Sequence, residues 1–210
     1  MKKMSFQDFL NKGYLAESPF IIPHTNFELD KSDYNSTLAV EFLAKTPVEV
    51  LEENDARNYI LSRYGDWNDG QIVLIDKKHI EIMYLVEFKK IKLYNTIMIT
   101  QSKVWRSVDS PINKLADRIF NILLDHNKII CSDSEQTPNG ADFWRIQMSN
   151  AVNNNLFVGL FEEDMHEDTI EWFDSKKEDY RSWIKSHFDK WSSINIDHTR
   201  FRFIISKEKY

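Results

Sequence analysis

The sequence predicts an α+β fold, a mixed and mostly antiparallel sheet flanked by helices, and three observations carry that reading. Residues 71–106 hold three consecutive strand-like runs separated by short turns, the pattern of an antiparallel meander. Residues 110–127 hold the best-marked helix, with Ser110 as N-cap, Pro111 at the first helical position and an apolar stripe behind them. Beyond that helix, extended and helical stretches alternate to a last strand at residues 200–205, which adds a C-terminal helix and strand to the sheet. At 210 residues and 42% hydrophobic, the chain is long enough for a substantial core. No repeat and no low-complexity linker divides it. Residues 1–210 therefore read as one domain, with 1–36 an N-terminal extension and 162–210 the part that completes the sheet.

In order, residues 4–15 predict a short helix with Phe6, Phe9 and Leu10 on one face. Pro19 and Pro23 make residues 16–36 irregular, with one edge strand. Residues 37–43 read as a strand closed by Thr46-Pro47, and residues 48–64 as a helix striped by Val50, Leu51, Ala56, Tyr59, Ile60 and Tyr64. Gly65-Asp66-Trp67-Asn68-Asp69-Gly70 is a turn. The meander follows as residues 71–75, a turn at Asp76-Lys77-Lys78, residues 80–86 with Ile80, Ile82, Tyr84 and Val86 on one face, and residues 93–100 running on towards Trp105. The helix of residues 110–127 stops near Asn127 and leads to a short buried strand at 128–131. Thr137-Pro138 opens a helix carrying Ala141, Phe143, Trp144 and Met148, and residues 156–161 make another strand. Residues 178–191 form a helix with Tyr180, Trp183, Ile184, His187, Phe188 and Trp191 along one side, an aromatic stripe that suits a core or a partner interface.

A formal charge of −6, from 27 Lys+Arg against 33 Asp+Glu, gives no support for broad electrostatic binding to nucleic acid. The single cysteine, Cys131, lies in an apolar strand, which excludes a disulfide framework and predicts an inert buried thiol. No apolar run is long enough to span a membrane and no signal-peptide pattern opens the chain, so a cytoplasmic location is expected. The six histidines lack metal-ligand spacing, and no metal site is expected. The acidic run Glu162-Glu163-Asp164, with Glu167 and Asp168, reads as a solvated loop.

Chemistry concentrates between residues 103 and 144. A helix N-terminus presents free N–H groups and a partial positive charge. Lys103 and Arg106 precede the helix of residues 110–127, and Lys114 lies in its first turn. A phosphate or pyrophosphate held at residues 106–115 is one reading, and an ordinary capped helix with solvated basic neighbours is the other.

In its order of elements, and most strongly over residues 71–161, the chain resembles the GNAT superfamily of N-acetyltransferases. That family binds the pyrophosphate of acyl-coenzyme A in the loop after its fourth strand, through a motif of Arg or Gln, two residues, Gly, one residue, Gly or Ala, then a Leu-Ala-like pair. Here Ile112-Asn113-Lys114-Leu115-Ala116 occupies that place, Leu115 and Ala116 match, and Arg106 stands for the leading basic residue. Ser132-Asp133, Gln136-Thr137, Gly140 and Trp144 are similar to divergent members of bacteriophage and prophage origin. The resemblance implies transfer of an acyl group from acetyl-CoA or another acyl-CoA to a protein or small-molecule amine. Arg106, Asn113, Lys114 and Leu115 would contact the cofactor, Asp133 would orient or deprotonate the acceptor, and Ser132, Gln136, Thr137 and Trp144 would line the substrate cleft. Two departures matter. Ile112 and Lys114 replace both motif glycines, and Trp144 lies near the place of a tyrosine general acid and cannot protonate a thiolate. The alternatives are a catalytically silent phage-type relative that binds a protein through its aromatic C-terminal helix, with Trp183 and Trp191 as anchors, and a nucleic-acid-directed relative using Lys89, Lys90 and Lys92.

Overall fold

The computed structural model describes residues 29, 31–93, 96–107, 114–133, 138–163, 169–191 and 198–209. Among them are four α-helices, α1 (Ser32–Ala44), α2 (Leu115–Asn127), α3 (Pro138–Asn153) and α4 (Tyr180–Trp191). Nine strands accompany them: β1 (Glu49–Asn54), β2 (Tyr59–Gly65), β3 (Asp69–Asp76), β4 (Glu81–Leu93), β5 (Thr96–Arg106), β6 (Ile129–Cys131), β7 (Phe157–Glu162), β8 (Thr169–Trp172) and β9 (Phe201–Ser206). The strands form one mostly antiparallel sheet in the order β1-β2-β3-β4-β5-β6-β9-β7-β8, which makes the molecule α+β. Contacts divide the chain into two compact units. One takes in the described residues of Met1–Gly65, Gln71–Val86 and Val104–Pro111, the other those of Asp66–Gly70, Glu87–Lys103 and Ile112–Tyr210.

In the first unit, the stretch expected to be a strand at residues 37–43 is the body of α1, and residues 32–36 of the stretch expected to be irregular are its first turns. Asn35, Ala39 and Phe42 fall on one buried stripe at helical spacing, and Thr37 Oγ1 donates to the carbonyl of Asp33 at 2.8 Å, a bond that helical backbone geometry permits. The helix expected at residues 48–64 is instead the β1–β2 hairpin, paired from Glu49↔Arg63 to Asn54↔Tyr59 with a shift of register between Val50 and Glu52. Its turn supplies the reason. Asn54 Oδ1 accepts the Arg57 N–H at 3.0 Å, and Asn58 takes a left-handed φ of 57°, so Asn54-Asp55-Ala56-Arg57-Asn58 reverses the chain where a helix would have continued. The short helix expected at residues 4–15 lies outside the described residues.

The three strands of the meander are present, but β4 runs on to Leu93 through residues expected between strands, and the expected alternation is absent. Ile82 to Val86 are all buried, so this part of β4 is covered on both faces. The turn into it is fastened by Asp76, whose Oδ1 accepts the N–H groups of Lys78 and His79 at 2.8 and 3.0 Å. Burial alone would raise the Asp76 pKa, yet these bonds and the His79 ring hold its carboxyl below the ordinary range. Leu29, Ala39, Phe42, Val73, Ile75, Ile82, Leu85 and Trp105 form the core of this unit.

In the second unit α2 buries Leu115, Ile119, Phe120, Leu123 and Leu124, the predicted stripe, and ends at Asn127 as expected. Lys128 stops it in a left-handed conformation, its N–H bonded to the Leu124 carbonyl at 2.8 Å. Phe120 meets Trp144 of α3 edge-on, with ring centroids 5.6 Å apart. β9 lies between β6 and β7 and is antiparallel to both. Leu93, Met98, Ile129, Cys131, Phe161 and Ile204 pack together across these strands. β8, which no sequence signal announced, pairs with β7 from Gly159↔Trp172 to Glu162↔Thr169.

Candidate functional site

Parallel pairing is the exception in this sheet, and the second unit contains it. β5 and β6 run parallel through Ile99↔Ile130 and Thr100↔Cys131, with α2 in the crossover between them. On its other edge β6 pairs with β9 from Ile129, and Ser132 continues that ladder, its N–H donating to the Phe203 carbonyl at 2.8 Å. In mixed and parallel sheets, the crevice beyond the carboxyl ends of such strands is where ligands are received.

The first turn of α2 contributes backbone donors. Lys114, expected in that turn, instead precedes it with φ 57° and ψ 24°, its side chain makes no capping bond, and the N–H groups of the first turn have no acceptor within the helix. The side chain of Leu115 is fully buried, so at this end of α2 it offers only its N–H. Lys114 is exposed. Arg106 is also exposed and ends β5, but it belongs to the first unit. Asn113, expected between them, lies outside the described residues, as do the expected cap Ser110 and Pro111.

On the β6 side, Ser132 is fully buried and its hydroxyl is already used. Oγ accepts the Phe203 N–H at 3.0 Å and donates to the Asp133 carbonyl at 3.1 Å, so the residue splints β6 to β9. Asp133 follows at the strand end, half-buried. Cys131 is buried, and burial pushes its pKa up to about 12, although the charge of Arg202 pulls the other way. The thiol is therefore held protonated. Trp144, expected in the cleft wall, is buried against Phe120 and serves the α2–α3 interface. Gln136 and Thr137 lie outside the described residues.

Sequence reasoning missed Gln101. It comes one residue after the last β5–β6 pair, is 6% exposed, and has no hydrogen-bond partner for either Oε1 or Nε2. The sequence offers no clear signal for it, because it stands in the polar stretch Thr100-Gln101-Ser102-Lys103. Away from this point, a cleft of about 100 Å³ between α2 and α3 is lined by Asp117, Asn121, Gln147, Asn150 and Asn154 among others, with Gln147 Nε2 donating to Asp117. Among the described residues no group of three or more His, Cys, Asp or Glu is placed to hold a metal ion, and no helix is long and apolar enough to cross a membrane.

No family model matches the chain, and neither a curated protein nor a solved structure matches it.

Proposed function

We propose that the chain is an N-acyltransferase of GNAT-like build that moves an acyl group from a coenzyme A thioester to an amine. The observation that carries this reading is the β5–α2–β6 crossover. One parallel pair in an otherwise antiparallel region parts after Thr100 and Cys131, with a helix N-terminus in the connection between its strands. Lys114 lends further support. It stands where the family motif has its second glycine, and its backbone takes the left-handed conformation that glycine adopts without strain. A left-handed backbone at this position supports the reading although the residue is not glycine.

The reaction class forms a C–N bond and breaks a C–S bond, with one proton leaving the amine and one reaching the thiolate. The α2 N–H groups and Lys114 would hold phosphate oxygens, and positioning of the two reactants would supply most of the rate. Asp133, at the strand end, would orient the amine or take its proton. Cys131 is excluded as an acyl carrier, because a fully buried thiol with a pKa of about 12 is no nucleophile at neutral pH. The reading is therefore of transfer without a cysteine acyl-enzyme.

Calorimetric titration with acetyl-CoA and free coenzyme A tests the reading. Saturable binding is expected, weakened about tenfold or more by Lys114→Glu, which reverses a charge but leaves a residue favourable to the helix N-terminus. Asp133→Ala should then retain binding and lose turnover with an accepted amine. Absence of binding at millimolar ligand would sink the proposal. The protein-binding alternative is weakened by Trp183, which at 1% exposure cannot serve as a surface anchor; the Trp191 side chain lies outside the described residues. A nucleic-acid-directed variant draws on Lys89, Lys90 and Lys92, all exposed on β4. Salt-sensitive binding to duplex DNA without coenzyme binding would favour it.

A further inference from the structure

We propose that the cleft between α2 and α3 binds the vicinal diol of a sugar ring, at a site that does not depend on the acyl-transfer reading. The cleft lies wholly within the second unit. Asp117 and Asn121, one turn apart, line it from α2. Gln147, Asn150 and Asn154, again about a turn apart, line it from α3 and the residue just beyond its end. Apolar side chains, Leu124 and Ile205 among them, complete the wall. Gln147 is 4% exposed and its Nε2 donates to Asp117, so two of the polar groups are held in place before a ligand arrives. Asn121, Asn150 and Asn154 are exposed, and no hydrogen bond among the described residues engages their side chains. Asparagine is a poor residue for a helix interior, so Asn121 within α2 and Asn150 within α3 stand against local preference. A break with local preference on both walls of one cleft is the pattern of a functional site.

One carboxylate and four carboxamides, with no lysine, arginine or histidine in the lining, define the ligand. Asp117 repels a phosphate or a carboxylate, which separates this cleft from a site for the acyl donor's phosphates. A divalent metal ion would meet a single carboxylate, too little charge to hold it. An ammonium would use the acceptors and leave every carboxamide NH₂ idle. Hydroxyls donate and accept at once, so two adjacent ones can donate to Asp117 and accept from a neighbouring carboxamide in one contact. The volume of about 100 Å³ sets the scale. It is roughly two-thirds of a cavity that takes up benzene, so one edge of a sugar ring enters and the rest stays in solvent.

The test titrates the ¹⁵N-labelled full chain with methyl α-D-glucopyranoside, methyl α-D-mannopyranoside, uridine, 2′-deoxyuridine and methylammonium chloride. Backbone amide resonances and the side-chain NH₂ resonances of Asn121, Gln147, Asn150 and Asn154 are followed, and the titrations are repeated with Asn121→Ala and Asn150→Ala. Alanine favours the helix at both exposed positions, so neither variant is expected to melt below the native chain. Saturable shifts confined to the cleft, with affinity reduced about tenfold in either variant, would support the inference. Shifts by a pyranoside would assign the diol to a hexose. Shifts by uridine and not by 2′-deoxyuridine, which lacks the second hydroxyl, would assign it to a ribose. The inference is overturned if no diol moves these resonances at ~100 mM, if 2′-deoxyuridine binds as well as uridine while neither pyranoside binds, or if methylammonium moves them and the diols do not. Native affinity in both variants would overturn it as well, because the diol would then bind elsewhere. The acyltransferase reading stands or falls separately, on its own coenzyme A titration.

Discussion

Asn35 shows how much one side chain can be asked to do. Its Nδ2 donates to the carbonyls of Leu29 at 3.0 Å and Ile82 at 3.1 Å, and its Oδ1 accepts the Ile82 N–H at 2.6 Å. A residue in α1 thereby finishes the backbone hydrogen bonding of a strand 47 positions away. Asn35→Ala would leave an N–H and two carbonyls without these partners, at about 1–3 kcal/mol for each buried group left unsatisfied. We expect a loss of roughly 3 kcal/mol in urea unfolding, and a change under about 1 kcal/mol would mean that water replaces the amide. Nothing local warned of this role, because residues 16–36 read as irregular and an asparagine in a loop is ordinary. The same blindness hid Gln101. Whether a buried carboxamide is paired depends on carbonyls brought in from far along the chain, and no local pattern contains them.

At the scale of elements, β8 depends on a close approach at Gly159. A Cβ placed there would lie 2.9 Å from Trp172 Cε3 and 3.2 Å from the Glu171 carbonyl oxygen. Gly159→Ala should therefore force β8 away from β7 and cost about 1–3 kcal/mol, read as a lowered thermal midpoint together with faster amide exchange at residues 169–172. Unchanged exchange there would show that the Trp172 ring yields instead. Elements that announce themselves by hydrophobic period were legible. The stripe of α2 and the apolar runs of β3, β6 and β7 appear where the sequence placed them, whereas α2 begins at Leu115, after a left-handed Lys114, and not at the expected cap Ser110. Two were not. In residues 37–43 a seven-residue window of Thr, Leu, Ala, Val, Glu, Phe and Leu satisfies either period, and it is the partners at Asn35 and Phe42, outside or at the edge of that window, that settle on a helix. In residues 48–64 an apolar stripe at near-helical spacing outweighed the Asn54 and Asn58 turn residues, whose side chain and left-handed backbone decide the matter. β8 is four residues long with half its positions exposed, too short and too polar to show a period.

Across the whole molecule, Cys131 is a built-in reporter. It is the only cysteine of the 210 residues, fully buried in β6, with its pKa raised to about 12. In the native chain it should react with a thiol reagent at pH 8 only through opening of the sheet around it, and the rate should rise to that of a free thiol in denaturant. Removing residues 201–210 takes away β9, which flanks β6 at Ile129↔Ser206, Ile130↔Ile205 and Cys131↔Ile204. The truncated chain should label at a rate near that of the unfolded form, and protection equal to the native chain would show that β9 is dispensable. Behind that expectation lies an order of events on the ribosome. The ladders that join β6 to β7 both run through β9, which follows both of them in the chain and comes after every other described strand. While residues 129–162 wait for it, the edges of β6 and β7 that β9 will cover have no native partner, so the nascent chain carries two open apolar strand edges until Phe201–Ser206 is made. A holding chaperone, or slow competing association of those edges, would act on the chain in that interval and have little left to grip once Phe201–Ser206 has threaded between them.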